Sequence, residues 1–101
     1  MANFMIRIEL SGSPTWQDYE NLHKAMKRAG FSRLITGSDG IVYHLPHAQY
    51  SRTTNLPVSD VRDQAQAAAM SVWSSIQTLT TEGSSAWIGL RQATPAEVTA
   101  A

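Results

Sequence analysis

Hydrophobic and polar residues alternate along the first segment of the chain. Over residues 3–10 apolar side chains occupy every second position, and charged residues such as Arg7 and Glu9 lie between them. An alternation of period two is typical of a β-strand that buries one of its faces. The sequence therefore predicts a first strand whose apolar face consists of Phe4, Ile6, Ile8 and Leu10.

A helical pattern follows this strand. Apolar side chains recur at steps of three and four residues and form one stripe, made of Trp16, Tyr19, Leu22, Met26 and Ala29. We expect Ser13 to cap the helix and Pro14 to be its first residue, where proline has no helical hydrogen bond to lose. The helix is predicted to extend to about residue 29 and to end at Gly30, with Trp16 and Tyr19 in the core.

Short strands are predicted in the middle of the chain. Residues 31–36 and 41–45 are separated by a turn, Ser38-Asp39-Gly40, in which glycine tolerates a positive φ. Pro46 ends the second of these strands because it has no N–H to donate to a sheet. Residues 48–55 are predicted to form a further, polar strand from their β-branched and aromatic content.

The second half of the chain again places a helix before a strand. Small apolar residues at helical spacing predict the second helix, with a stripe made of Val58, Val61, Ala65, Ala68, Ala69 and Val72. Residues 76–80 are predicted to form a strand, and residues 86–90 a possible extra C-terminal strand. The resulting β-α-β-β-α-β order is that of an α+β, ferredoxin-like domain, with two helices on one face of an antiparallel sheet. This single domain is expected to cover residues 1–93, followed by a flexible tail over 94–101.

Composition narrows the functional classes. The 101 residues include no cysteine, which excludes disulfides and thiolate chemistry and suits a reducing, cytoplasmic compartment. No run of about 18 apolar residues is present, so no membrane association is expected. Eight basic and eight acidic residues cancel. Nucleic-acid binding would therefore require a local basic patch or a groove between two copies.

Residues 37–54 hold the densest set of side chains capable of chemistry. Unperturbed imidazoles titrate near neutral pH, so His44 or His47 could transfer a proton to or from a ribose hydroxyl. Arg33 and Arg52 could stabilise the phosphate. Alternatively, these polar side chains could simply cover the solvated face of a half-buried sheet.

The same region offers candidate contacts to RNA. Tyr43 and Tyr50 could stack bases, although at least one of them could instead lie in the core or at a dimer contact. Basic residues at the end of the first helix could follow a phosphate backbone, or could be solvated cations favoured by the helix dipole; they are Lys24, Lys27, Arg28 and Arg33. His44, His47 and His23 lack an obvious further metal ligand, so no metal or other cofactor is expected.

A family resemblance extends over residues 30–63, GFSRLITGSDGIVYHLPHAQYSRTTNLPVSDVRD. The matching features are Phe31-Ser32, Gly40-Ile41, Leu45, Tyr50, Thr53-Thr54-x-Leu56, Ser59 and Asp63. This segment resembles the GhoS family, the endoribonuclease antitoxins of type V toxin-antitoxin systems. The resemblance implies a small ferredoxin-like cytoplasmic protein that recognises single-stranded RNA and cuts the messenger RNA of a toxin.

Two hypotheses follow from the sequence. The first is a homodimeric RNA-binding endoribonuclease antitoxin in which His44 or His47 transfers protons. In it Arg33 and Arg52, with Lys27 and Arg28, contact phosphate, and Tyr43 or Tyr50 stacks a base. The second is a non-catalytic inhibitor that binds a protein partner, such as a host defence nuclease complex, through the open sheet face or its edge. The zero net charge favours this second hypothesis, since RNA enzymes are usually more basic.

Overall fold

Strand β1, Ala2–Leu10, is the central strand of the main sheet. A computed structural model, which describes residues 1–101, places β1 between β4, Gln49–Thr54, and β5, Ile76–Glu82, antiparallel to both. The alternating pattern of β1 appears as predicted, because its even-numbered side chains from residue 4 onward are almost fully buried: Phe4, Ile6, Ile8 and Leu10. One face of the sheet therefore packs in the hydrophobic core.

Two helices supply the other side of that core. Helix α1, Trp16–Arg28, contributes Leu22 and Met26, and helix α2, Val58–Met70, contributes Val61 and two fully buried alanines. Small side chains let α2 lie close to the sheet, and full burial of a residue such as Leu22 contributes about 1.5–3 kcal/mol. The prediction of an α+β protein is confirmed.

The start of α1 differs from the prediction. Thr15, rather than Ser13, caps the helix: its hydroxyl accepts from the Asp18 N–H at 3.2 Å, and the Asp18 carboxylate accepts from the Thr15 N–H at 2.7 Å. This reciprocal capping box starts the helix at Trp16, beyond Pro14. Trp16 is consequently 76% exposed, so its assignment to the core was wrong, whereas the half-buried Tyr19 packs against the core.

Thr15→Ala is expected to lower the free energy of unfolding by about 1 kcal/mol, because the Asp18 N–H loses its side-chain acceptor. Ser13→Ala is the matched control and should leave stability unchanged. Urea unfolding of both variants measures the difference. Equal losses in the two variants would contradict a helix that begins after Thr15.

A small hairpin extends the main sheet. Strands β2, Leu34–Thr36, and β3, Val42–His44, pair antiparallel to each other. Ser32, just before β2, exchanges two backbone hydrogen bonds with Ser51 of β4, at 2.9 and 2.7 Å. The hairpin turn contains Gly40, whose φ of +80° explains why glycine is needed there. The resulting order is compatible with a ferredoxin-like arrangement.

The C-terminal segment differs from the prediction. Residues 86–90 do not form a strand; instead Gln92 bridges to Tyr43 in β3, flanked by hydrogen bonds from His44 to Arg91 and from Ala93 to Val42. Gly83 and Gly89 have positive φ values of 140° and 79°, which break extended pairing before this point. Since β5 lies at one edge of the sheet and β3 beyond the opposite edge, residues 83–90 run from one edge to the other.

The chain ends in a third helix, α3, Pro95–Ala100. Thr94 caps it in a reciprocal arrangement with Glu97, so the segment expected to be a flexible tail contains an ordered helical turn. None of the three helices combines the length and apolar character needed to cross a membrane.

Candidate functional site

A pocket of about 570 Å³ lies between α1, the start of β2 and α3. Basic side chains from separate elements border it, namely Lys24, Lys27, Arg33 and His44, together with the acidic Glu20 and Glu97. We call it the cationic pocket. The C-terminus of a helix is the negative end of its dipole and favours cations in the last turn. Lys27 lies in the last turn of α1 and also borders this pocket. Three of the predicted functional residues, Lys27, Arg33 and His44, therefore meet in one place.

Arg33 has a buried side-chain nitrogen without a partner in this pocket. It forms no ion pair, and its Nε is buried without a hydrogen-bond partner. A partly buried guanidinium left in this state is costly, and an anion with several acceptor oxygens would relieve the cost. Arg33 is therefore the residue of the pocket best suited to hold a phosphate.

His44 has a defined orientation at the edge of the pocket. Its Nδ1 lies 2.7 Å from the Leu45 carbonyl oxygen, which can only accept, so Nδ1 carries the proton. In the neutral ring Nε2 is then free to accept a proton. Nε2 faces Oε2 of Glu97 at 3.8 Å.

Glu97 is held as an ionised carboxylate. Arg91 donates to both of its oxygens, at 2.7 and 2.9 Å, and the Thr94 N–H donates to Oε1 at 2.9 Å. The hydrogen bonds from Arg91, followed by that from Thr94, hold the pKa of Glu97 far below its usual range. Glu97 was not predicted as a site residue, because it lies in a segment expected to be a flexible tail.

His47 does not line the cationic pocket. Its exposed ring packs against Tyr19 with centroids 4.4 Å apart and meets the edge of His23 at 5.8 Å. The neighbouring Ala48 has a φ of +57°, and it is buried while its carbonyl accepts from the Ile8 N–H. The structure thus separates the two histidines proposed to act in catalysis and leaves only His44 at the pocket.

His23, which also lines the cationic pocket, forms a buried pair with Tyr50. Nδ1 of His23 lies 2.6 Å from the Tyr50 hydroxyl. Tyr50 is completely inaccessible to solvent, so no base can stack on its ring. The prediction that Tyr50 stacks a base is therefore wrong. Its ring faces the core because the register pairs it with Ile6.

The environment of His23 opposes protonation. Burial is the main cause, followed by the positive charges of Arg33, His47 and His44, and together they lower the pKa of His23 to about 4. The sequence contained a signal for this burial. His23 lies four residues after Tyr19, next to Leu22 on the apolar stripe, which is a core position on a helix.

The remaining predicted residues lie outside the cationic pocket. The Arg52 guanidinium lies 5.0 Å from the centre of the Phe31 ring and donates to Gln64. Arg28 is exposed at the end of α1 and does not line the pocket. Tyr43 donates to Asp39 at 2.9 Å and packs against Trp87.

No group of three or more His, Cys, Asp or Glu side chains is placed to hold a metal ion. No known protein-family model matches this chain, and no curated protein matches its sequence. A functional conclusion therefore depends on the geometry of the pocket and on the resemblance over residues 30–63.

Proposed function

We propose that this chain is a cytoplasmic RNA-binding endoribonuclease of the GhoS antitoxin type, which cuts a single-stranded toxin messenger RNA in the cationic pocket. The observation that carries the proposal is the placement of an unpartnered guanidinium, Arg33, in the same cavity as an imidazole with a free Nε2, His44. The guanidinium is suited to bind a phosphate, and the imidazole is suited to accept the proton of a hydroxyl group.

The proposed reaction uses the ribose as nucleophile. His44 Nε2 takes the proton of the 2′-hydroxyl, and the resulting oxygen attacks the adjacent phosphorus. Arg33, assisted by Lys24 and Lys27, stabilises the extra negative charge on the phosphoryl oxygens. The 5′-oxygen leaves with a proton returned by the imidazolium, which faces the Glu97 carboxylate. The products are a 2′,3′-cyclic phosphate and a 5′-hydroxyl.

Two features of the fold support the same proposal. The strand order β5-β1-β4 followed by the β2 segment, with α1 and α2 on one face, is the order expected of a ferredoxin-like domain, as the resemblance implies. In addition, β5 is an edge strand whose backbone groups are available to a second copy of the chain, as a homodimer would require.

RNA binding tests the phosphate role of Arg33. Arg33→Ala is expected to weaken binding of a labelled single-stranded RNA by about tenfold or more, since hydrogen bonds to charged groups contribute about 1.5–3 kcal/mol. It should also reduce the slope of log affinity against log salt by about 0.7, the share of one neutralised phosphate. Fluorescence anisotropy at several salt concentrations measures both quantities.

Arg28→Ala is the matched control, because it removes the same charge from an exposed position outside the pocket. It should retain nearly all of the affinity. If the two variants lose affinity equally, binding depends on general charge and the cationic pocket is not the site.

A second candidate function is supported by the exposed edge of the sheet. Leu79 on the edge strand β5 is 66% exposed, and Ile88 in the crossing segment is 97% exposed. An edge strand with an exposed apolar side chain can add a strand from a partner protein. A non-catalytic inhibitor would form a stoichiometric complex that Leu79→Lys disrupts, and it would retain no RNA at low salt.

A further inference from the structure

A second cavity, of about 790 Å³, lies on the face of the main sheet that α1 and α2 leave uncovered. We call it the sheet-face groove. Its floor contains Met5, Ser51 and Thr53, which point away from the helices because their neighbours Phe4, Ile6 and Tyr50 face the core. The β2–β3 hairpin forms one wall, and residues 83–87 of the crossing segment form the other. This volume is typical of small-ligand sites, which range from about 300 to 1,000 Å³.

An aromatic corner closes one end of the groove. The rings of Tyr43 and Trp87 meet edge to face with centroids 5.6 Å apart, and both are only half-buried. Gly37 allows this approach. A Cβ at that position would lie 3.3 Å from the Tyr43 ring, 3.4 Å from the Trp87 ring and 2.7 Å from Oδ1 of Asp39. Backbone, aromatic rings and carboxylate therefore converge at a point where no side chain would fit.

Asp39 presents a fixed carboxylate in this corner. Oδ1 accepts from the Ile41 N–H and Oδ2 accepts from the Tyr43 hydroxyl, each at 2.9 Å. These two bonds hold the pKa of Asp39 below its usual range. A carboxylate has about four acceptor positions, so each oxygen keeps capacity for another donor.

The groove presents no free cation. Arg52 is the only basic residue along it, and its guanidinium stacks on Phe31 and bonds to Gln64 of α2, on the helix side of the sheet. A free phosphate would therefore meet only the negative charge of Asp39. The groove instead suits a planar, uncharged ring that carries N–H donors, because it offers aromatic surface, a carboxylate acceptor and hydroxyl groups.

We propose that the sheet-face groove binds an unpaired nucleobase that carries an exocyclic amino group, with the base stacked on Trp87 and the amino group donating to Asp39. The choice of a nucleobase rests on the proposed function. Leu34 borders both cavities, so the β2 segment separates the groove from the cationic pocket. A single strand of RNA that crosses this segment would place a base in the groove and a phosphate against Arg33.

Nucleosides test the groove separately from the cationic pocket, since they carry no phosphate. In ¹⁵N-labelled protein the three tryptophan indoles are built-in reporters. Trp87 lies in the groove, Trp16 is exposed on α1, and Trp73 donates its indole N–H to the Ser11 carbonyl at 2.8 Å. Cytidine should shift the Trp87 indole signal saturably and leave the other two unchanged. Uridine, which lacks an amino group, should bind several times more weakly.

Variants assign the two contacts. Trp87→Leu should weaken cytidine binding by about five- to a hundredfold, the range found for one stacked base, whereas Trp16→Leu should have no effect. Asp39→Asn should bring the affinity for cytidine down to that for uridine. Because Trp87→Leu lacks the reporter indole, its titrations are monitored by backbone amide signals. The same signals report whether each variant is folded.

The outcomes are separable from those of the proposed function. Cytidine binding at Trp87 without RNA cleavage would support the groove and count against the nuclease. RNA cleavage with no shift of the Trp87 indole signal, or with equal shifts at Trp16 and Trp87, would overturn the groove as a base site.

Discussion

Replacing His44 with glutamine is expected to lower the rate of RNA cleavage by about 100- to 10,000-fold, the usual contribution of a general acid–base group. Glutamine can keep a hydrogen bond near the Leu45 carbonyl but has no nitrogen that takes up a proton. Because His44 is half-buried at the pocket edge and makes no core contact, the variant should remain folded. Initial rates on a labelled AU-rich RNA measure the effect, and circular dichroism verifies the fold.

His47→Gln provides the control for this experiment. It removes a second imidazole three residues away in sequence, but one that packs on Tyr19 outside the cationic pocket. It should keep most of the wild-type rate. A larger loss in His47→Gln than in His44→Gln would reverse the assignment, and unchanged rates in both variants would remove histidine chemistry from the mechanism.

Stability is expected to fall steeply below neutral pH because of His23. The unfolded chain protonates this residue near its ordinary pKa of 6.5, whereas the buried residue in the folded chain protonates only near about 4. Well above pH 6.5 the imidazole is neutral in both states, and its protonation does not reduce the free energy of unfolding. As the pH falls from there to about 4, the unfolded state binds a proton that the folded state does not. At about 1.36 kcal/mol per pH unit, the total loss is about 3 kcal/mol.

Urea unfolding at several values between pH 7 and pH 4 measures this loss, with His23→Gln as the comparison. Glutamine can still bond to the Tyr50 hydroxyl but does not titrate, so the variant should lose stability much less steeply over this interval. Every other titrating group is shared by the two proteins and cancels in the difference between them. Parallel curves for wild type and His23→Gln would contradict a buried, neutral His23.

The fold was predictable wherever a local pattern decided it. The alternation in β1 and the stripe in α1 each reflect one buried face, and both elements appear close to the expected positions. The start of α1 was missed although the sequence contained the deciding signal. Thr15 is followed three residues later by Asp18, which is the spacing of a capping box, whereas Ser13 has no such partner.

The C-terminal third was less predictable because distant contacts decide it. Residues 86–90 have the apolar content of a strand, but the position beside β3 is taken by residues 91–93. The flexible-tail prediction for residues 94–101 did not anticipate the capping box of Thr94 and Glu97, even though its sequence signal is local. Glu97 and His44 are more than fifty residues apart in sequence, so no local sequence pattern predicts that their side chains lie close together.

The candidate site was predictable by residue type but not by grouping. Arg33 and Lys27, expected to contact RNA, share a pocket with His44, expected to transfer a proton. Three other predicted RNA contacts lie elsewhere, namely Arg28, Arg52 and Tyr43. Tyr50 illustrates the difficulty, since residues 48–55 alternate without revealing which face is buried. Only the pairing of Tyr50 with Ile6 determines that its ring enters the core.

The most direct test of RNA cleavage in the cationic pocket is an analysis of products from two versions of the same AU-rich oligonucleotide. One version has ribose throughout, and the other has 2′-O-methyl groups at every position. Wild-type protein should cut the ribose version and leave 2′,3′-cyclic phosphate ends, and it should leave the methylated version intact, because the attacking hydroxyl is blocked. No cleavage of the ribose version, or equal cleavage of both, would contradict a nuclease that uses His44 to activate the 2′-hydroxyl.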